Sequence, residues 1–240
     1  MRVVISQSML FPWVGMLEQI RLADVFVHYD DVQFSKGSFV NRVQVKTQDG
    51  MRWMTLPLEG LHLGQRIETV RLAPAAKWRD RHLDLLRASF SGSPFAIDAL
   101  RLAEEVFNAP HTHLGSLARA STLALAHYFG LDGDTRFIDV GELGVSGTSS
   151  DRVLEVVQRL GGNVYVTGHG ARNYLNHRLF EESGIAVEYM QYRCDPYAQT
   201  HGAFTPYVTG LDLVANCGRA GVRHIMSRSI DWRQFANEPA

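Results

Sequence analysis

The chain has 240 residues, enough for one large α/β domain or two small ones, and its 45% hydrophobic and 20% charged residues exclude a disordered or fibrous protein. A formal net charge of −1 offers no general basic field for nucleic acid or an anionic membrane. No apolar run reaches the roughly 18 residues of a membrane span, polar Ser6-Gln7-Ser8 comes too early for a secretory core, and two cysteines, Cys194 and Cys217, are too few to staple the fold. A soluble, cytoplasmic protein with reduced thiols is expected.

Residues 2–6 form a short β-branched run of strand type, followed by a polar and aromatic loop that ends at Gly15. Residues 16–23 (MLEQIRLA) carry Leu17 and Ile20 on one helical side, and Val25-Phe-Val-His-Tyr29 returns as a strand. Strand, helix, strand is a βαβ unit, whose loops place function at the C-terminal strand ends. Residues 7–13 and 30–36 fall there. Residues 37–72 read as β-rich: Val43-Gln-Val-Lys46 alternates, Asp49-Gly50 signals a turn, and Trp53-Met-Thr-Leu56 follows. Helical periods cover residues 77–86, 99–107 and 114–129, with Ser91-Gly-Ser-Pro94 as a break. Alternation then resumes with a helix over 150–160, a strand over 164–167, a glycine turn, a helix through Phe180 and a strand over 186–192. The pattern predicts one α/β domain over residues 1–240: a parallel Rossmann-like sheet with an inserted β-hairpin and a helical insertion at about 75–130.

Three stretches concentrate chemistry. In Gln7-Ser-Met-Leu-Phe-Pro-Trp13-Val-Gly15, Pro12 and Gly15 shape a tight start to the helix. Phe11 and Trp13 there read first as a buried aromatic plug, and Gln7 at the strand end as the functional candidate. In His28-Tyr-Asp-Asp-Val-Gln-Phe-Ser-Lys-Gly-Ser-Phe-Val-Asn-Arg42, adjacent carboxylates on an extended chain point to opposite faces. One of Asp30 and Asp31 is therefore expected to be structural. Such a carboxylate can hold an ammonium or hydroxyl, bind Mg²⁺ or take a proton. Lys36 and Arg42 suit a phosphate or carboxylate, and Asn41 an amide or hydroxyl. In Val166-Thr-Gly168-His-Gly170-Ala-Arg172-Asn-Tyr174, a strand ends in Gly-x-Gly before a helix, which brings backbone N–H groups close to a phosphate. The third glycine of a dinucleotide fingerprint and the lysine of a P-loop are absent. His169 at the loop tip suits proton transfer near pH 7. His111-Thr-His113 has no third ligand nearby, so no structural zinc is expected, Cys217 has no neighbouring base, and Ser149-Ser150-Asp151 reads as a helix cap.

These residues resemble the WbqC-like family of bacterial proteins. The likeness rests on Gln7, Phe11-Pro-Trp13, Gly15, Asp30-Asp-Val-Gln-Phe34, Lys36, Asn41-Arg42 and Lys46. It continues through Ser146-Gly147, Thr167-Gly168, Asn173-Tyr-Leu175, Phe180, Pro196-Tyr-Ala-Gln199, Leu211-Asp212 and Asn216-Cys-Gly218, so it covers nearly the whole chain. The chain departs from that pattern at Ser8, where proline commonly stands, and at His169. The resemblance implies biosynthesis of surface polysaccharides or natural products. A looser likeness is to the nucleotidyltransferase fold of pantothenate synthetase, with Trp13-Val-Gly15-Met16 in place of its His-x-Gly-His signature. The expectation is an acyl or aminoacyl transferase acting on a small amine such as a nucleotide-linked amino sugar. Asp30 or Asp31 would position the amine, Lys36 and Arg42 hold anionic groups, and His169 accept the proton. Gly168, Gly170, Arg172 and Asn173 would receive phosphate, while Gln7, Phe11, Trp13, Gln33, Asn41 and Arg42 contact substrate. One alternative is an ATP- and Mg²⁺-dependent ligase or nucleotidyltransferase using the same loops with Mg²⁺ on the aspartates; the other is a binding protein without catalysis. Neither nucleic acid nor membrane is expected as a partner.

Overall fold

The computed structural model describes residues 1–237. Its central sheet has six strands in the order β10-β9-β8-β1-β2-β7. These are β1 (Arg2–Ser6), β2 (Val25–His28), β7 (Arg136–Asp139), β8 (Val164–Thr167), β9 (Ala186–Gln191) and β10 (Arg228–Asp231). All neighbours pair in parallel except β10, which runs antiparallel to β9. Sequence reading anticipated β1, β2, β8 and β9 and missed β7 and β10, two four-residue edge strands. Their brevity is what edge positions favour. The chain builds outward from β1 to β2 and β7, then returns to the other side of β1 with β8. The strand order thus reverses between β1 and β8, and a crevice opens there at the C-terminal strand ends.

Both faces of the sheet are covered, so its centre reads as a continuous apolar run: Val3 and Val4 are each fully buried. Alternate residues serve opposite faces. Val4, Phe26, Val166 and Met190 join the larger core, and Val3, Ile5, Val27 and Tyr189 the smaller. Helix α1 (Val14–Arg21), the helical middle of α2 (Arg79–Ser89), α3 (Ala96–Asn108) and α4 (Leu114–Tyr128), and α7 (Gly210–Cys217) contribute to the larger core. Helices α5 (Ser149–Arg159), α6 (His177–Glu182) and α8 (Trp232–Asn237) contribute to the smaller. Among the described residues no helix is long and apolar enough to cross a membrane.

The expected hairpin is a separate two-stranded sheet, β3 (Arg42–Thr47) with β4 (Gly50–Thr55). Thr47 pairs with Gly50, so the turn falls on Gln48-Asp49, one residue earlier than read, and Gly50 supplies a φ of 103° that glycine alone adopts freely. A second small pairing joins β5 (Leu58–Glu59) to β6 (Arg71–Leu72). Much of the family-like sequence holds this layer down. Lys46 Nζ donates to Gln199 Oε1 at 3.1 Å and to the Gly202 and Ala203 carbonyls, and Tyr197 donates to Asp212 Oδ1 at 2.8 Å. Gly210 N–H donates to the Pro12 carbonyl at 2.8 Å, and a Cβ on Gly210 would lie 2.6 Å from that oxygen. Helix α7 thereby clamps the loop after β1.

Candidate functional site

A cavity of about 800 Å³ occupies the crevice where strand order reverses. Ser6 and Gln7 at the end of β1, Thr167 to Ala171 after β8, and Gly147 to Ser149 at the start of α5 form its floor and one wall. Aromatic rings form much of the rest: Trp13, Tyr29, Phe39, Tyr174, Tyr192 and Tyr207. Trp13 packs at 5.1 Å from Tyr192 and 5.9 Å from Tyr207, centroid to centroid. Gly15 makes that pose possible, because a Cβ there would fall 2.2 Å from the Trp13 ring. Gly168 does the same for the Tyr192 hydroxyl, which would lie 2.9 Å from an added Cβ. Burial pushes the Tyr29, Tyr174 and Tyr192 phenols up, so they stay neutral donors and stacking surfaces at pH 7.

The polar lining is sparse and positive. Arg152 is the one charged side chain other than histidine that lines the cavity among the described residues. It projects one turn into α5, pairs with Asp31, and lies with its guanidinium carbon 5.0 Å from the Tyr29 ring centre. The hydrogen bond to Asp31 raises its pKa further, so it is always charged. The first turn of α5 adds backbone N–H groups without helical partners, and the N-cap residue Thr148 makes no side-chain cap hydrogen bond. Ser149 sits there at φ 56°, in the left-handed region that a serine enters only under strain. Anion-binding capacity therefore stands beside Tyr29 in a cavity rich in aromatic rings.

At the rim, His169 Nε2 lies 2.7 Å from the Met190 carbonyl oxygen. A carbonyl only accepts, so Nε2 carries the proton and Nδ1 of the neutral ring keeps its lone pair. The ring is held against Tyr192 at 5.0 Å and Phe235 at 4.8 Å. Gln7 also lines the cavity, with no hydrogen-bond partner for its side chain among the described residues.

The structure brings Gln7, Trp13, Gly168, His169 and Gly170 together on this lining. It places the other candidates elsewhere. Asp30 and Asp31 diverge, as adjacent residues on an extended chain must. Asp30 is buried and accepts from Ser8 N at 2.9 Å, Ser8 Oγ at 2.7 Å and Arg119 at 3.2 Å. Asp31 turns to Arg152. Neither lines the cavity, because each carries an arginine partner from a different helix. Phe11 is fully buried, edge-on to Phe107 at 5.5 Å, which is the plug and not a substrate contact. Asn41 is buried with its amide donating to the Leu56 carbonyl at 3.2 Å, so it ties the hairpin. Arg42 stacks on Trp53 at 4.2 Å, and Gln33 forms an exposed bridge with Arg66. Lys36 is exposed and outside the cavity. Arg172 turns outward onto Phe235, and Asn173 is exposed. Burial pushes the Cys217 thiol up, away from the thiolate a nucleophile needs. Sequence reading missed Arg152, Thr148, Ser149, Tyr174, Tyr192 and Tyr207. The one local signal was an arginine one turn after a Ser/Thr-rich helix start.

Fold and site together define an α/β protein with a mostly parallel sheet and a ligand-sized cavity at its switch point. Residues 7–224 match the WbqC-like protein family, and the chain belongs to that family. It is 32% identical over 220 residues to the uncharacterized protein Rv1507c of Mycobacterium tuberculosis, a match covering 90% of this chain and 94% of that one. No solved structure matches it.

Proposed function

We propose that the protein is a biosynthetic enzyme that takes a nucleotide-linked amine into the cavity between β1 and β8 and joins an acyl or aminoacyl group to it. The observation that carries this reading is that one cavity is lined both by aromatic rings and by Arg152 with the open N-terminus of α5. A nucleotide presents that pair of surfaces, a flat base and a phosphate chain. The parallel strand order β7-β2-β1-β8-β9 is that of Rossmann-like sheets, which bind such ligands where the order reverses.

In the transfer, the amine nitrogen attacks the acyl carbonyl, a C–N bond forms, and the bond to the leaving group breaks with its electron pair. The surplus proton on nitrogen must go to a base. His169 Nδ1 is that base, with its ring oriented by the Met190 carbonyl. Gln7 reads substrate hydroxyls or amides, and the α5 terminus with Arg152 holds phosphate. The rival ligase reading puts Mg²⁺ on Asp30 and Asp31, whose charges here face Arg119 and Arg152.

The test is a thermal-shift panel of nucleotide sugars, acyl donors and ATP with Mg²⁺, followed by mass detection of an amide product. A nucleotide-linked amine should stabilise the protein, and His169→Gln should keep that shift while lowering turnover 100-fold or more. Stabilisation by ATP with Mg²⁺ and release of AMP or pyrophosphate would overturn acyl transfer in favour of ligation. Binding with no product from any donor would make the protein a receptor.

A further inference from the structure

A second cavity, of about 380 Å³, opens beside the first at the C-terminal ends of β2 and β7 and the first turn of α4. Five carboxylates line it, from Asp30, Asp31, Glu68, Asp139 and Glu142, against one arginine, Arg119. The Asp31–Arg152 pair forms part of the wall between the two cavities. Acidic surface is ordinarily just solvated. What sets this one apart is His28.

His28 lines the cavity with only 2% of its surface exposed. Its Nδ1 lies 2.9 Å from Ser8 Oγ. The single proton of that hydroxyl is committed to Asp30 Oδ2 at 2.7 Å, so the hydroxyl accepts from Nδ1–H and the lone pair stays on Nε2. Nε2, on the ring edge away from Ser8, is buried and has no partner among the described residues. Burial, with Arg119 repelling the proton, pushes His28 down to about 3, so the ring is a neutral acceptor throughout the physiological range. Asp31 Oδ1 and Asp139 Oδ1 are likewise buried without partners, against one unpaired donor on the lining, Arg119 Nε. Each such acceptor destabilises the fold until a donor reaches it.

We propose that this second cavity binds a small primary amine as its ammonium, with His28 Nε2, Asp31 Oδ1 and Asp139 Oδ1 as accepting atoms. An ammonium brings three N–H donors and a positive charge to a wall where five carboxylates face one arginine. The volume equals about a dozen water molecules, room for an amino sugar or a short diamine. The inference is independent of the reading of the larger cavity, which gives His28 and Asp139 no task.

The experiment is isothermal titration of the full chain at pH 7 with glucosamine, putrescine and ethanolamine, each against its uncharged counterpart: glucose, 1,4-butanediol and ethylene glycol. At least one amine should bind while its counterpart does not. Asp139→Asn should weaken that amine at least 10-fold, and Tyr174→Ala, on the wall of the larger cavity, should leave it unchanged. The amine-against-counterpart comparison needs no variant, so an unstable D139N protein leaves the proposal open to refutation. Failure of all three amines, equal binding of the counterparts, displacement of the amine by Mg²⁺, or loss of binding in Tyr174→Ala would each overturn it. Amine binding without any response to nucleotide sugars would keep this site and sink the function proposed for the larger one.

Discussion

The family resemblance implies proline at the position of Ser8, and the structure shows what the serine adds. Its N–H and its hydroxyl both donate to the buried Asp30 carboxylate, and its oxygen accepts a hydrogen bond from His28 Nδ1–H. Proline offers neither donor. Hydrogen bonds to a charged group contribute roughly 1.5–3 kcal/mol each, so Ser8→Ala should cost about 2 kcal/mol through the hydroxyl alone. Urea unfolding measures it directly: a shifted midpoint at unchanged slope is expected, and a midpoint within about 0.5 kcal/mol of wild type would mean that Arg119 suffices to hold Asp30. Residue-level chemistry was legible where local geometry decides it. Gln7, Gly168, His169 and Gly170 sit at strand ends beside the switch point and line the cavity there. Lys36, Gln33, Asn41 and Arg172 looked equally apt by residue type. Their direction depends on a hairpin and a C-terminal helix that pack from elsewhere in the chain.

At the scale of elements, α5 contributes the one non-histidine charged side chain of the larger cavity's lining among the described residues, Arg152. Its inner face, Val153, Leu154, Val156 and Val157, fills the smaller core, while its first turn faces the larger cavity. Ser149 reaches this pose only with φ at 56°. A left-handed conformation costs a non-glycine residue about 1–2 kcal/mol, and glycine loses about 0.5–1 kcal/mol more than other residues through chain entropy. Ser149→Gly should therefore stabilise the fold slightly, by about 0.5 kcal/mol, while weakening whatever ligand stabilises the wild-type protein in the larger cavity. The check is the melting temperature with and without the nucleotide sugar that gives the largest shift. A variant that melts lower without ligand, or that responds fully to it, would show that Ser149 carries no functional strain. The helix itself was plain in the sequence, as were α2, α3 and α4, because each buries a periodic apolar stripe. Strand β7 escaped because Arg136-Phe-Ile-Asp139 is four residues long and only partly buried, too short for alternation to declare itself. The place of α5 in the cavity lining escaped for a different reason: a Ser/Thr-rich start reads the same whether it faces solvent or a cavity.

The cavities belong to the whole molecule. The larger is closed by residues from Ile5 to Tyr207, and the smaller joins His28 to Asp139, so no sequence window contains either. The same long-range packing gives the protein a pH-dependent stability. His28, at about 3 in the fold, stands below its ordinary 6.5, and burial lowers His82, His111, His177 and His224 as well. Between those two values the unfolded chain binds a proton at residue 28 that the folded chain refuses, so stability falls as pH falls through 6.5 and continues to fall toward 3. At pH 5 the gap of 1.5 units below 6.5 corresponds to a loss of about 2 kcal/mol from His28 alone, at 1.36 kcal/mol per unit. Glu18, Asp139 and Asp212, pushed up by burial, work in the opposite sense as pH falls, so the His28 share is read as a difference: between pH 7 and pH 5 the wild type should lose more unfolding free energy in urea than His28→Asn does. If the wild type and His28→Asn lose the same amount between the two pH values, the imidazole takes its proton inside the fold. Its Nε2 would then be a donor, which a site for an ammonium cannot use.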